Sequence, residues 1–265
     1  VQQCVTLSAS GRSSLAERAD AQASDSFDVA RASDDAAAIL YTSGTTGRSK
    51  GAVLTHGNLA SNAFALKACW RYTEQDVLLH ALPIFHIHGL FVAINVTLAA
   101  GAALLLLPGF DPESIFTQLP AATVMMGVPT YYVRLLADAR IDARHSAHMR
   151  LFISGSAPLL IDTHNAWRER TGHAILERYG MTETSMNTSN PYDGDRIAGT
   201  VGFPLPDVAL RIADPETGRE LPQGETGGIE VKGPNVFPGY WRMPEKTKAE
   251  FRADGFFITG DVGKI

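Results

Sequence analysis

Residues 41–59 read "YTSGTTGRSKGAVLTHGNL". Seven of the eight residues from Thr42 to Ser49 are Ser, Thr or Gly, with Arg48 the interruption and Lys50 closing the run. Such a run buries little and favours neither helix nor strand. Ahead of it, "AAAIL" (36–40) reads as a strand. Behind it, "HGNLASNAFALKACW" (56–70) reads as a helix, with Leu59, Ala63, Leu66 and Trp70 at helical spacing and Thr55 or Asn58 as its cap. A loop between a strand and a helix is where open α/β sheets take ligands. Gly44, Gly47 and Gly51 let the backbone come close, and Ser43, Thr45, Thr46 and Ser49 offer hydroxyls. Lys50, with Arg48, adds positive charge, and the set suits a polyanion such as the phosphates of a nucleotide. The register is not the Walker loop G-x-x-x-x-G-K-[ST]. Composition alone leaves a phosphate cradle and a plain surface loop on equal terms.

Outward from the loop, strand and helix signals alternate. "DVLLHALP" (76–83), "AALLLLP" (102–108), "ATVMMGVP" (122–129) and "RLFISGSAP" (150–158) read as strands. "LFVAINVTLAA" (90–100), "DPESIFTQLP" (111–120), "TYYVRLLADA" (130–139) and "LLIDTHNAWRERTG" (159–172) read as helices, the second capped by Asp111 with Pro112 in its first turn. This pattern predicts an α/β fold, a mostly parallel sheet flanked by helices. Near residue 195 turns and short strands take over, predicting a small antiparallel β subdomain. The expected organisation is a loosely structured leader (1–35), an α/β nucleotide- and acyl-binding core (36–194) and a β-rich subdomain (195–265).

Composition excludes several classes. Of 265 residues, 45% are hydrophobic and 19% charged, enough for a sizeable core. A net charge of −5 gives no reason to expect nucleic acid or an anionic membrane as partner. The apolar run 90–107 is broken by Asn95, Thr97 and Gly101, so a buried helix followed by a strand is expected in place of a membrane span. Cys4 and Cys69 form neither a metal-ligand spacing nor a disulfide framework, which favours a reducing, cytoplasmic setting. The first residues carry no signal-peptide pattern. The first residue is not Met and the last lie in a strand-like run, so the chain is read as an internal piece of a longer one.

Four ordered blocks carry a resemblance: "YTSGTTGRSKG" (41–51), "ERYGMTET" (177–184), "GGIEVKGPNVFPGYW" (227–241) and "FFITGD" (256–261). Together they resemble the adenylate-forming superfamily of acyl-CoA synthetases, luciferases and peptide-synthetase adenylation domains. The resemblance implies ATP and Mg²⁺, with CoA as co-substrate. It implies that Thr42, Ser43, Gly44, Thr45, Thr46, Gly47 and Lys50 wrap the outer phosphates, that Thr182 touches the α-phosphate, and that Glu183 holds the metal. Tyr179, followed by Gly180, would stack on adenine against Gly155, Ser156 and Ala157, and Asp261 would bind the ribose hydroxyls.

The narrower strings "HALPIFHIHGLFVA", "GVPTYYVRLL", "GSAPLL" and "ERYGMTETSMNTSNPYDGDR" resemble malonyl-CoA synthetases. That implies activation of malonate or a related small dicarboxylate. It also implies His86 lining the acyl pocket, Arg196 binding the second carboxylate, and Ser154 and Met186 nearby; His88 is expected to be structural. His86 and His88 as a metal pair lack further ligands. Two other readings stand: a ligase for another short acid or an amino acid, and a non-catalytic nucleotide-binding module. The family's larger N-terminal region and mobile C-terminal domain lie outside these residues, so the piece alone is expected not to complete both half-reactions.

Overall fold

In this computed structural model the described residues are 5, 6, 8, 11–24, 28–42 and 49–265. They divide into two compact units, Val1–Arg31 and Ala32–Ile265. The first holds one short helix, α1 (Ser14–Asp20), whose N-cap Ser13 accepts from the Ala16 amide. Part of the stretch expected to be loose is therefore ordered helix.

In the second unit β1 (Ala36–Thr42) leads into the loop as expected, but no helix follows directly. The chain returns as β2 (Lys50–Thr55), antiparallel to β1, with Thr42 opposite Lys50. A second strand thus stands between the motif's first strand and the helix, which corrects the strand–loop–helix reading. The missed signal is "KGAVLT", where Ala52 and Leu54 are fully buried at a period of two. Then α2 (His56–Cys69) begins with both cap candidates in use. The Thr55 hydroxyl accepts from the Asn58 amide at 3.1 Å and the Asn58 side chain accepts from the Thr55 amide at 3.0 Å. Thr55→Ala is expected to cost about 1 kcal/mol of stability, read as a lower urea midpoint at unchanged slope.

The main sheet is built from β3 (Val77–His80), β4 (Ala103–Leu106), β5 (Val124–Gly127), β6 (Leu151–Ser154), β7 (Leu176–Met181), β8 (Ser185–Ser189) and β9 (Phe203–Pro204). Their order is β4-β3-β5-β6-β7-β8-β9, parallel through β7 and antiparallel beyond it. Between them run a π-helix (His88–Ile94), α3 (Asn95–Ala100), α4 (Pro112–Gln118), α5 (Pro129–Leu136), α6 (Ala143–Ser146) and α7 (Ile161–Thr171). Every residue of β5 and β6 is buried, as parallel strands covered on both faces require. Alternate residues face opposite layers. Leu78, Met126 and Ile153 pack with Trp70 and Val96, whereas Leu79, Met125 and Phe152 pack with Trp167 and Tyr132. Gly101 (φ +69°) and Gly172 (φ +79°) close α3 and α7 in the left-handed conformation. The 90–107 run therefore splits at Gly101. Among the described residues no helix is long and apolar enough to cross a membrane.

The remaining strands are β10 (Ala209–Ala213), β11 (Gly227–Lys232), β12 (Gly239–Tyr240) and β13 (Phe257–Gly263), with α8 (Pro244–Ala249) between the last two. β10, β11 and β13 form an antiparallel sheet. β12 pairs instead with the free edge of β2, setting Tyr240 beside Ala52. The expected class holds: a mostly parallel sheet flanked by helices, followed by antiparallel β structure.

Candidate active site

Parallel strands deliver their carboxyl ends to one edge, and several of the described candidate residues lie there. β6 ends at Ser154, followed by Gly155, Ser156 and Ala157. Ser156 is held at φ +68°, and its hydroxyl meets His88 Nδ1 at 3.1 Å. Beside them, on β7, Arg178 is only 4% exposed. Its guanidinium lies flat on Gly155: a Cβ there would come within 2.2 Å of Nη1. Glycine is needed at 155 for that approach.

Among the described residues Arg178 has no acidic partner. Its Nε and Nη2 are buried without a hydrogen bond, as are Ser154 Oγ and His88 Nε2. The adjacent Glu177 is engaged elsewhere, 3.5 Å from His164 and accepting from the Gly199 amide. Burial pulls the Arg178 pKa down to about 9. Burial, and then the nearby Arg178 charge, also lowers the pKa of His86 and pushes that of His88 well below the usual histidine range. Both shifts favour the neutral imidazoles, and among the described residues the Arg178 charge is left uncompensated. Such a charge is costly unless an anion joins it. Arg178 and His88 are not among the binding residues expected from the sequence.

A second cluster joins Lys50, the first residue of β2, to the β7–β8 turn. Lys50 Nζ donates to the Tyr240 hydroxyl at 3.1 Å and to Glu250 Oε1 at 3.3 Å. The same hydroxyl contacts Glu183 Oε1 at 3.0 Å and Glu250 Oε2 at 2.6 Å. Glu183 is 4% exposed, and its backbone carbonyl accepts from the Phe237 amide at 2.8 Å. Burial works against the Glu250 carboxylate, but hydrogen bonds from Lys246 and Tyr240 outweigh it and its pKa lies below the usual range. Thr42 Oγ1, opposite Lys50, is buried without a partner. Ser43, Gly44, Thr45, Thr46 and Gly47 lie outside the described residues.

A third contact completes the arrangement: the Tyr179 hydroxyl donates to Asp261 Oδ2 at 2.6 Å. Burial, reinforced by that carboxylate, raises the Tyr179 pKa. All three groups meet on one hairpin, where β7 and β8 carry Arg178, Tyr179, Gly180, Met186 and, in the turn, Thr182 and Glu183. The hairpin is bulged between Tyr179 and Gly180. A Cβ on Gly180 would lie 1.9 Å from the Ser185 carbonyl oxygen and 2.6 Å from the Met186 methyl. Met186 itself is core, 1% exposed. His86 is exposed, its Nδ1 accepting from the His88 amide at 3.2 Å.

Arg196 is not brought to this group. Its Nε, Nη1 and Nη2 donate to the carbonyls of Pro191, Ala174 and Tyr192 at 3.1, 2.7 and 2.9 Å. Three of the five N–H donors of this guanidinium are spent on backbone carbonyls and tie a turn together, leaving one on each Nη. Arg196 is thus held by its own turn, apart from the cluster around Arg178.

Among the described residues no group of three or more His, Cys, Asp or Glu could hold a metal by itself. Magnesium asks for less, since it keeps several waters and takes one or two carboxylates plus phosphate oxygens. Glu183 offers a buried carboxylate, and such a ligand fits an ion arriving with phosphates.

The chain matches the AMP-binding enzyme family over residues 1–241. It belongs to that family. It is 40% identical over 263 residues to the mitochondrial malonate–CoA ligase ACSF3 of Mus musculus, which covers 86% of this chain and 45% of that protein. The ATP-bound crystal structure of MatB from Rhodopseudomonas palustris superposes with a TM-score of 0.96 at 64% identity, over 98% of this chain and 52% of that one. A malonyl-CoA ligase ternary product complex with methylmalonyl-CoA and AMP bound superposes with a TM-score of 0.81 at 44% identity, over 87% of this chain and 50% of that one. The chain of this family member spans about half the length of the relatives it matches.

Proposed function

We propose that these residues form the nucleotide- and acid-binding core of an ATP-dependent acid–thiol ligase that activates malonate, or a close relative such as methylmalonate, and passes the acyl group to CoA. The carrying observation is the buried, unpaired guanidinium of Arg178 at the carboxyl edge of the sheet, with Ser154 Oγ and His88 Nε2 also free. A monocarboxylate spends its one carboxylate on the reaction and leaves Arg178 bare. A dicarboxylate reacts at one end and neutralises Arg178 with the other, in the bidentate geometry that Arg favours. The names of the relatives agree with this assignment. An amino acid would need an acid for its ammonium, and Arg178 offers a cation.

In the first half-reaction a substrate carboxylate oxygen attacks the α-phosphorus of ATP, and the bond to pyrophosphate breaks. In the second, the CoA sulfur attacks the acyl carbon and AMP leaves. The protein supplies no nucleophile; it positions two anions and disperses charge. Lys50, Thr42 and the loop residues 43–47 would take the outer phosphates, and Thr182 the α-phosphate. Magnesium, when bound, neutralises phosphate charge, and Glu183 would hold it. Tyr179 and Gly155–Ala157 would enclose adenine, and Asp261 the ribose. His86 would face the thiol's approach.

The same reading takes in the threefold division into leader, core and β-rich subdomain, further residues of the same polypeptide completing catalysis, and a cytoplasmic address. A mitochondrial name on a relative makes cell fractionation the test of the address. The function is tested with an acid panel in a pyrophosphate-release assay on the full-length protein. Malonate is expected to exceed acetate and butyrate in kcat/KM by at least roughly 10²-fold, the scale of a buried ion pair. Equal rates across the panel would refute the dicarboxylate assignment, and no release with any acid would refute the ligase reading.

A further inference from the structure

Tyr240 stands outside every role assigned so far, yet its hydroxyl joins the two halves of the phosphate-side cluster. Its single proton faces two carboxylates, Glu183 and Glu250, while Lys50 donates to its oxygen from the third side. Its position is over-determined. The backbone is fixed by pairing with Ala52 and by its amide donating to the Thr247 hydroxyl at 2.9 Å. The ring is 5% exposed and packs edge-on against Phe237 at 4.8 Å. Behind it, Glu250 is held by Lys246 at 2.6 Å, one helical turn away. The phenol is therefore a fixed post, and the Glu183 side chain is the element it steers. With Oε1 tied to the post, Glu183 Oε2 is left as the oxygen free to meet a cation.

We propose that Tyr240 is a positioning residue whose hydroxyl sets the Glu183 carboxylate for a phosphate-bound divalent cation, with Glu250 and Lys246 bracing it from behind. This rests on the reading of Glu183 as the metal-holding group. Groups that orient a metal ligand from behind are typically worth about 10–100-fold in metal affinity. A packing role for Tyr240 would instead lower stability and weaken ATP binding equally with and without metal.

The test is calorimetric ATP binding to the full-length protein, in Mg²⁺ and in EDTA, for the wild type, Tyr240→Phe, Glu183→Asp and the double variant. Phe keeps the ring on Phe237, and Asp keeps a carboxylate but withdraws it from the hydroxyl. The wild type is expected to bind more tightly in Mg²⁺, and Tyr240→Phe to lose about 10-fold of that gain while its affinity in EDTA moves by less than about twofold. On the Glu183→Asp background, itself expected to lose the gain, Tyr240→Phe should add nothing. A full metal-dependent gain in Tyr240→Phe would overturn the proposal, as would a tenfold loss that persists on the Glu183→Asp background. A wild type with no metal-dependent gain would overturn the Glu183 reading and the proposal with it.

Discussion

Arg178→Leu in the full-length protein is expected to lower kcat/KM for malonate by roughly 10²–10⁴-fold, the counterpart of about 3–5 kcal/mol for stranding one member of a buried ion pair. The rate with butyrate should change little, since that acid has no second carboxylate to strand. Stability should move the other way. The ligand-free protein carries a guanidinium that is 4% exposed with two nitrogens unpartnered, so an apolar replacement removes an uncompensated charge and should raise the melting temperature. Loss of activity with gained stability separates this residue from a merely structural arginine. Arg196→Leu supplies the opposite pattern. It strips donors from the carbonyls of Pro191, Ala174 and Tyr192, so stability should fall by about 2–3 kcal/mol at about 1 kcal/mol per bond, while the preference for malonate over butyrate is kept. If Arg196→Leu abolished that preference and Arg178→Leu did not, the reassignment of the acid-binding residue would be wrong.

Gly180→Ala should be the most damaging single methyl in the site. The new carbon would lie 1.9 Å from a backbone carbonyl oxygen, that of Ser185, and no rotamer change can move backbone aside. The bulge between Tyr179 and Gly180 would have to open, carrying Tyr179, Thr182 and Glu183 with it. A loss of more than about 4 kcal/mol is expected, the range reserved for strain or overpacking with no escape, together with loss of ATP binding. Gly172→Ala is the control. That glycine has φ +79°, but an added Cβ would meet nothing within 4 Å, so only backbone strain of about 1–2 kcal/mol applies. Denaturant midpoints of the two variants measure the difference, and equal midpoints would sink the steric account.

Much of the fold could be read because its boundaries are marked by residues with one job. Pro112 opens a helix, Gly101 and Gly172 close two, and the strands between are short apolar runs. β2 escaped because its six residues sit inside a motif dominated by its polar run, although Ala52 and Leu54 alternate as a strand should. The residue proposed to bind the acid escaped for a different reason. Arg178 and Arg196 both lie in polar-looking strings, and nothing local says which is buried. Burial of Arg178 comes from its seat between β6 and β8, a matter of sheet order. Tyr240 and Glu250 were invisible for the same cause, the first lying 57 residues from Glu183 and the second 200 from Lys50 along the chain.

The distance from Lys50 to Glu250 bears on how the protein is made. β2 gains its second neighbour, and Lys50 its counter-ion, only after some 200 further residues have been translated. At about 5–20 residues per second the ribosome leaves the edge of β2 open for roughly 10–40 s, long enough for a nascent chain to pair wrongly. Newly made molecules should therefore acquire nucleotide affinity late and all at once, and should depend on chaperones most during that interval.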